Sequence, residues 1–277
     1  GMVRHGVVQR RRLIRRERRR AADDRMRAEQ ARRLADLEEA RDLQLSMLPD
    51  TVPHHPRVTL AAYMKTADVV GGDYYDFAVG DDGTITLALG DATGHGARAG
   101  LMVTATKSLF NLLARDDDLE RLLRRTDESL RAMRLRRLHM ALMAARLTPD
   151  AALLLLGTSL PPALHHRAAS RTIDELPLDG LPLGSRHAGN RYANHHLQLA
   201  PGDVVVLLTD GLPERPAPDA QPFGYARVRD ALARALIDGV TSPNALIQRL
   251  LTAADEWADG QPQTDDITLI VLRAGDD

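Results

Sequence analysis

The sequence predicts a mixed α/β protein of the α+β kind, with mainly antiparallel sheets flanked by helices and a long N-terminal helix in front. Three observations carry this. Residues 7–47 contain no Gly or Pro, and the run stops at Pro49, so nothing breaks a helix until a residue that cannot continue one. From residue 58 the apolar residues begin to alternate, as in V-T-L-A-A-Y-M (58–64), which is the period of a strand. The strand-like segments then come in consecutive blocks instead of alternating one for one with helices, which favours antiparallel pairing.

The N-terminal helix differs in charge from the rest of the chain. Residues 1–33 hold 13 arginines against Glu17, Asp23, Asp24 and Glu29, a balance of +9, so with a net charge of −1 the remainder carries −10. Leu34, Leu37, Arg41, Leu45 and Leu48 are spaced 3, 4, 4 and 3, which keeps them on one face with the eleven-residue period of a nearly straight coiled coil. Three readings fit: a dimerising or signal-transmitting helix, a solvated helix packed on its own domain, or an arginine run for anionic partners. No aromatic residues interleave the arginines, so the expectation is a homodimer seam and no nucleic acid. The domain division expected is 1–49 for this helix and linker and 50–277 for a single globular domain.

After the strand at 58–64, the segments 74–79 and 84–90 read as a hairpin around Asp81-Asp82-Gly83, which makes Asp81 and Asp82 turn residues. Helices are expected at 97–114 and 119–138. Strands follow at 139–147, 151–157, 163–167, 191–199 and 203–209, then helices at 225–237 and 243–257, and a last strand at 267–273. The proline-rich stretch 213–222 reads as a surface loop.

Composition narrows the chemistry. A chain of 277 residues, 44% apolar and 27% charged, has the make-up of a globular protein. Its longest apolar runs, at 151–156 and 204–208, are strand-length, so no membrane span is expected. The basic N-terminus lacks an apolar signal region, Gly1 before Met2 reads as a tag-removal scar, and a cytoplasmic location is the default. Cysteine is absent, which excludes disulfides, thiolate zinc sites and cysteine nucleophiles.

Five acidic residues stand out. Asp73 opens one hairpin strand and Asp91 follows the other, so an antiparallel return brings both to one end of a sheet. Asp210 follows V-V-V-L-L-T, and Asp265-Asp266 precede the last strand. Singly, an aspartate at a strand end is most often a turn or cap residue. Together, carboxylates converging at strand ends repel one another unless a hard cation lies between them. No histidine or cysteine spacing competes, so Mg²⁺ or Mn²⁺ is favoured over zinc. The pairs His165-His166 and His195-His196 point to opposite faces of their strands and do not suggest a joint site.

In order, V-G-G-D-Y-Y-D-F, G-D-A-T-G-H-G-A-R-A-G-L-M, P-L-G, L-A-P-G-D-V-V-V-L-L-T-D-G-L-P-E, F-G and T-D-D-I-T-L-I-V resemble the motifs of the SpoIIE/RsbU-type branch of the PP2C-like (PPM) metal-dependent Ser/Thr protein phosphatases. The resemblance covers about residues 43–274. It implies a four-layer αββα sandwich with two Mn²⁺ or Mg²⁺ ions in a cleft at one end. It also implies that Asp91 bridges both ions, that Asp73 and the backbone carbonyl of Ala92 hold one, and that Asp210 and Asp265 hold the other. Asp266 is expected one layer behind these ligands. The implied reaction is hydrolysis of phosphoserine or phosphothreonine by attack of a metal-bridging water. The implied substrate is a phosphorylated STAS-domain anti-anti-sigma regulator. A pseudophosphatase that binds this partner without turnover is the alternative.

Two further residues are candidates for the chemistry. His95 could protonate the leaving alkoxide or be structural, and Lys65 could approach the substrate phosphate or be a solvated strand-end lysine. One departure from the pattern is T-S-L-P-P at 158–162, where many relatives carry A-G-H-P-P, so Leu160 replaces a histidine.

Overall fold

The computed structural model describes residues 2–67, 69–94, 96–115, 118–135, 137–186 and 191–275, with side chains from Arg16 onward except at position 17. In chain order the elements are α1 (Met2–Ser46), β1 (Val58–Lys65), β2 (Asp73–Val79), β3 (Ile85–Ala92), α2 (Ala97–Leu113), α3 (Leu119–Ala132), β4 (Met140–Leu147), β5 (Ala152–Thr158), β6 (Leu160–Arg167), β7 (Thr172–Leu178), β8 (Ala193–Gln198), β9 (Val204–Leu208), α4 (Tyr225–Ile237), α5 (Pro243–Ala258) and β10 (Ile267–Ala274).

The strands form two five-stranded sheets, ordered β1-β10-β9-β6-β7 and β2-β3-β4-β5-β8, and their neighbours pair antiparallel. The inner faces pack on each other through Leu87, Leu89, Met143 and Leu155 on one side and Val205, Leu207, Ile270 and Leu272 on the other. Leu232, Leu246 and Leu250 of α4 and α5 cover the outer face of the first sheet, against Leu208, Leu269 and Val271. Met102, Phe110, Leu122 and Leu130 of α2 and α3 cover the second, against Tyr74, Met140 and Leu142. The result is the expected four layers, helix, sheet, sheet, helix. Because both faces of the central strands are covered, β9 is apolar throughout and β10 is buried along nearly its whole length, so neither alternates.

Several boundaries differ from the sequence reading for local reasons. Helix α3 ends at Ala132 instead of 138, and Arg134 and Arg137 take positive φ just beyond it; with no Gly or Pro there, the sequence carries no stop signal. Strand β7 was not anticipated. It is an edge strand, mostly exposed, with Pro177 near its end, and such strands read weakly. Between β5 and β6 a single residue, Ser159 at φ 64, turns the chain from one sheet to the other. The proline-rich loop is partly folded in. Leu212 and Phe223 are buried at its two ends and Pro216 bridges Pro222, while 218–222 face solvent.

The β2–β3 turn forms where expected. Gly80 N–H donates to the Thr84 carbonyl at 2.8 Å, and Gly83 adopts the positive φ of 81 that a tight turn requires. Helix α1 projects from the body: Leu34, Leu37 and Leu45 are exposed and Leu48 is half-buried. The helix touches the body at α2.

A candidate metal centre where the two sheets meet

Strand pairing dictates which side chains share an end of the sandwich. In the β2–β3 pair, Asp73 lies directly opposite Asp91. In the other sheet, β9 pairs β10 with Leu208 opposite Leu269. Asp210 leaves the end of β9 just as Asp265 and Asp266 enter β10, so both sheets deliver carboxylates to the same end.

Two threonines stitch the sheets together there. Thr209 Oγ1 and Thr268 Oγ1 both donate to Asp73 Oδ2, at 2.7 and 2.5 Å, and Thr268 N–H donates to Thr209 Oγ1 at 3.0 Å. Both threonines are fully buried, and Asp73 is 2% exposed. Asp73 is therefore fixed from the opposite sheet.

Above it opens a cleft of about 410 Å³, lined by Asp91, Ala92, Asp210, Asp265 and Asp266 together with Thr93, Ser159 and Thr264. Asp210, Glu214 and Asp265 each bring a carboxylate oxygen within 4.8 Å of the others. Glu214 sits one helical step beyond Asp210, in a turn closed by Glu214 N–H donating to the Asp210 carbonyl at 2.8 Å.

The electrostatics follow from this crowding. Burial, then the charges of Asp210, Asp265, Asp266 and Glu214, push the Asp91 carboxyl up to about 8. Burial and the charges of Asp265 and Glu214 push Asp210 up to about 6. Asp73 is held well above the usual carboxylate range by burial and by Asp91, against the opposing pull of the two threonine hydroxyls. Carboxylates this close are uncomfortable without positive charge among them. The described residues that line the cleft offer oxygen donors and no imidazole, which suits a hard dication.

Asp266 plays a different part. It is 5% exposed; its Oδ1 accepts from Ala67 N–H at 2.7 Å, and its Oδ2 accepts from Gly72 N–H at 2.6 Å and Asp73 N–H at 3.3 Å. It pins the loop that leads into Asp73. Gly72 in that loop passes so close to β3 that a Cβ would sit 2.7 Å from the Ala92 carbonyl oxygen. The Gly72 carbonyl in turn accepts from Ala92 N–H at 2.9 Å.

Lys65 ends β1 opposite Ile267, on the same rim, and is exposed; its carbonyl accepts from Gln263 Nε2 at 2.8 Å, and it is not among the residues lining the cleft. His95 lies outside the described residues. The two histidine pairs do separate. His165 is buried against Asp203 at 3.2 Å, His166 is only half-buried, and His195 bonds the Pro177 carbonyl. Sequence reading passed over Glu214, Thr209 and Thr268. The threonines were legible as the first residue of T-D-G and the last of D-D-I-T, but a hydroxyl aimed across two sheets has no linear signature.

A four-layer αββα sandwich whose two sheets gather oxygen ligands in a cleft at one end defines the PP2C class of metal-dependent phosphatases. A family model described as Stage II sporulation protein E (SpoIIE) matches residues 81–275, a span that includes Asp91, Asp210, Asp265 and Asp266 and begins after Asp73. The chain belongs to this SpoIIE family and is a phosphatase of the PP2C type. It is 24% identical over 246 residues to the phosphoserine phosphatase RsbU of Bacillus subtilis (strain 168), covering 86% of this chain and 70% of that one. Among solved structures it is similar to the SiaA-PP2C domain of Pseudomonas aeruginosa (TM-score 0.74, 23% identity, 88% of this chain and 98% of that one). It is also similar to RsbX in complex with magnesium (TM-score 0.60, 16% identity, 81% of this chain and 99% of that one).

Proposed function

We propose that this protein is a Mn²⁺- or Mg²⁺-dependent protein serine/threonine phosphatase that hydrolyses phosphoserine or phosphothreonine on a regulatory protein of the STAS-domain anti-anti-sigma class. The observation that carries the reading is the convergence of Asp91 from one sheet with Asp210 and Asp265 from the other, each facing the same cleft. The relative named as a phosphoserine phosphatase and the neighbour crystallised with magnesium support it.

In this reading Asp91 would hold both ions, Asp73 and the Ala92 carbonyl would hold one, and Asp210 and Asp265 would hold the other, with Glu214 beside that pair. When bound, the two ions supply a nucleophilic water at neutral pH and neutralise the phosphoryl oxygens. The chain's own part is positional. Thr209 and Thr268 set the Asp73 carboxylate, and Asp266 holds the loop on which Asp73 begins. Thr93, Ser159 and Thr264 offer hydroxyls along the cleft wall to a phosphoryl group. A dianionic phosphate entering a cleft lined by several acidic groups meets like charge, so turnover depends on cation loading. His95 is the proposed proton donor to the leaving alkoxide, and Lys65, on the rim, the proposed contact to the approaching phosphoprotein. The exposed leucines of α1 are the proposed seam of a homodimer, and the setting is cytoplasmic.

The test is turnover of an aryl phosphate and of a phosphorylated STAS protein by the metal-stripped chain. Mn²⁺ should restore activity better than Zn²⁺, and chelation should abolish it. Undiminished hydrolysis in excess EDTA would overturn the reading. Binding of the STAS protein with no metal-dependent hydrolysis would mark a pseudophosphatase.

A further inference from the structure

Helix α1 docks on the body in an unexpected way. Leu34, Leu37, Leu43 and Leu45 are all exposed, while Gln44 is 5% exposed and is the one buried residue among the described side chains of α1. Its amide meets the backbone of Gly71 in both directions: Gln44 Nε2 donates to the Gly71 carbonyl at 2.7 Å, and Gly71 N–H donates to Gln44 Oε1 at 3.1 Å. A carboxamide suits this role because it presents a donor and an acceptor side by side, matching the N–H and C=O of one residue.

Gly71 lies in the segment that organises the candidate metal centre. Val70, just before it, accepts at its carbonyl from Gly96 N–H, at the start of α2, at 3.0 Å. Gly72, just after it, accepts at its carbonyl from Ala92 N–H and donates its own N–H to Asp266. Asp73 is the next residue. On its other side Gly71 is hemmed in, since a Cβ there would sit 2.6 Å from Asp266 Oδ2. The segment is thus clamped between two side chains, Asp266 from the last strand and Gln44 from the N-terminal helix.

We propose that Gln44 is a positioning residue for the metal centre: by hydrogen-bonding the Gly71 backbone in both directions, it fixes the segment that leads into Asp73 and lies against Ala92, and so sets the affinity for the cation. The inference rests on the metal-phosphatase reading above. It differs from simple anchoring in what it predicts, because an anchor would affect melting and helix docking without changing affinity for the ion.

The experiment uses the full chain with Gln44→Met, which keeps the side-chain length but removes both hydrogen bonds, and Gln44→Asn, which keeps the amide but is too short to span. Leu43→Ala, on an exposed neighbour, is the control. Mn²⁺ binding to metal-stripped protein is measured by calorimetry beside aryl phosphate kinetics. The Gln44 variants should bind Mn²⁺ about tenfold or more weakly, in the range seen when groups supporting metal ligands are lost. Their turnover should recover in excess Mn²⁺ with KM for the aryl phosphate unchanged, and Leu43→Ala should match wild type. Wild-type Mn²⁺ affinity in either folded Gln44 variant would overturn the proposal. Absence of Mn²⁺ binding by the wild-type chain would overturn the phosphatase reading, and this inference with it.

Discussion

Asp73 and Asp91 are register partners across the first hairpin, yet they face different surroundings: Asp73 is sealed beneath two threonine hydroxyls while Asp91 lines the open cleft. Placing two carboxylates opposite each other destabilises a sheet unless something offsets the repulsion. Asp91→Asn and Asp73→Asn should each reduce aryl phosphate turnover at least roughly 100-fold while the chain stays folded. In EDTA, Asp91→Asn should melt no lower than wild type, because it removes a like charge. Asp82, an exposed turn residue bonded to Thr84 N–H at 2.9 Å, is the contrast, and Asp82→Asn should leave turnover intact. Equal losses at Asp82 and Asp91 would contradict the assignment.

Thr268 and Thr209 hold one oxygen of Asp73 from the other sheet. Thr268→Val keeps the shape and removes the hydroxyl, so the carboxylate loses a donor in a buried place. Turnover at limiting Mn²⁺ should fall about tenfold to 100-fold, and Thr268→Ser should restore most of it. Unchanged kinetics in Thr268→Val would mean that Asp73 does not depend on this hydrogen bond.

The metal-free protein should lose stability as pH rises. Asp91 is pushed up to about 8 and Asp210 to about 6, above the value near 4 of an aspartate in an unfolded chain. Between about pH 4 and pH 8 the folded state therefore holds protons that the unfolded chain has released, and linkage lowers stability across that window as pH increases. Melting temperature in EDTA should fall from pH 5 to pH 8 by more in wild type than in Asp91→Asn. Mn²⁺ should raise it more at pH 8 than at pH 5, since protons compete with the cation. A wild-type slope identical to that of Asp91→Asn would exclude Asp91 as its source.

Helix α1 carries leucines that the fold leaves uncovered, Leu34 at 51% and Leu37 at 38% exposure, and a second copy of the helix would cover them. Deleting residues 1–40, which leaves Gln44 in place, should convert a self-associating species to monomer by light scattering and alter turnover without unfolding the domain. Leu45→Glu should act in the same direction. If neither variant changes oligomeric state or kinetics, the helix is a passive linker.

The sequence by itself determined the types of most elements and the acidic character of the site. Periodicity separated the long helix from the strands, because a helix and a strand expose their faces at different spacings. Short motifs put Asp91, Asp210, Asp265 and Asp266 at strand ends, because a carboxylate at the mouth of a sheet needs a turn or glycine beside it. The tertiary structure decided which of these groups meet and what steadies them. Sheet order brought β9 and β10 beside the β2–β3 end, and only that placement lets Thr209 and Thr268 reach Asp73. Glu214 joined Asp210 and Asp265 through a turn inside a loop that composition marked merely as surface. Gln44 is one polar position among many on a charged helix; its burial comes from pairing with the Gly71 backbone, 27 residues further along the chain, and linear spacing carries no information about such a contact.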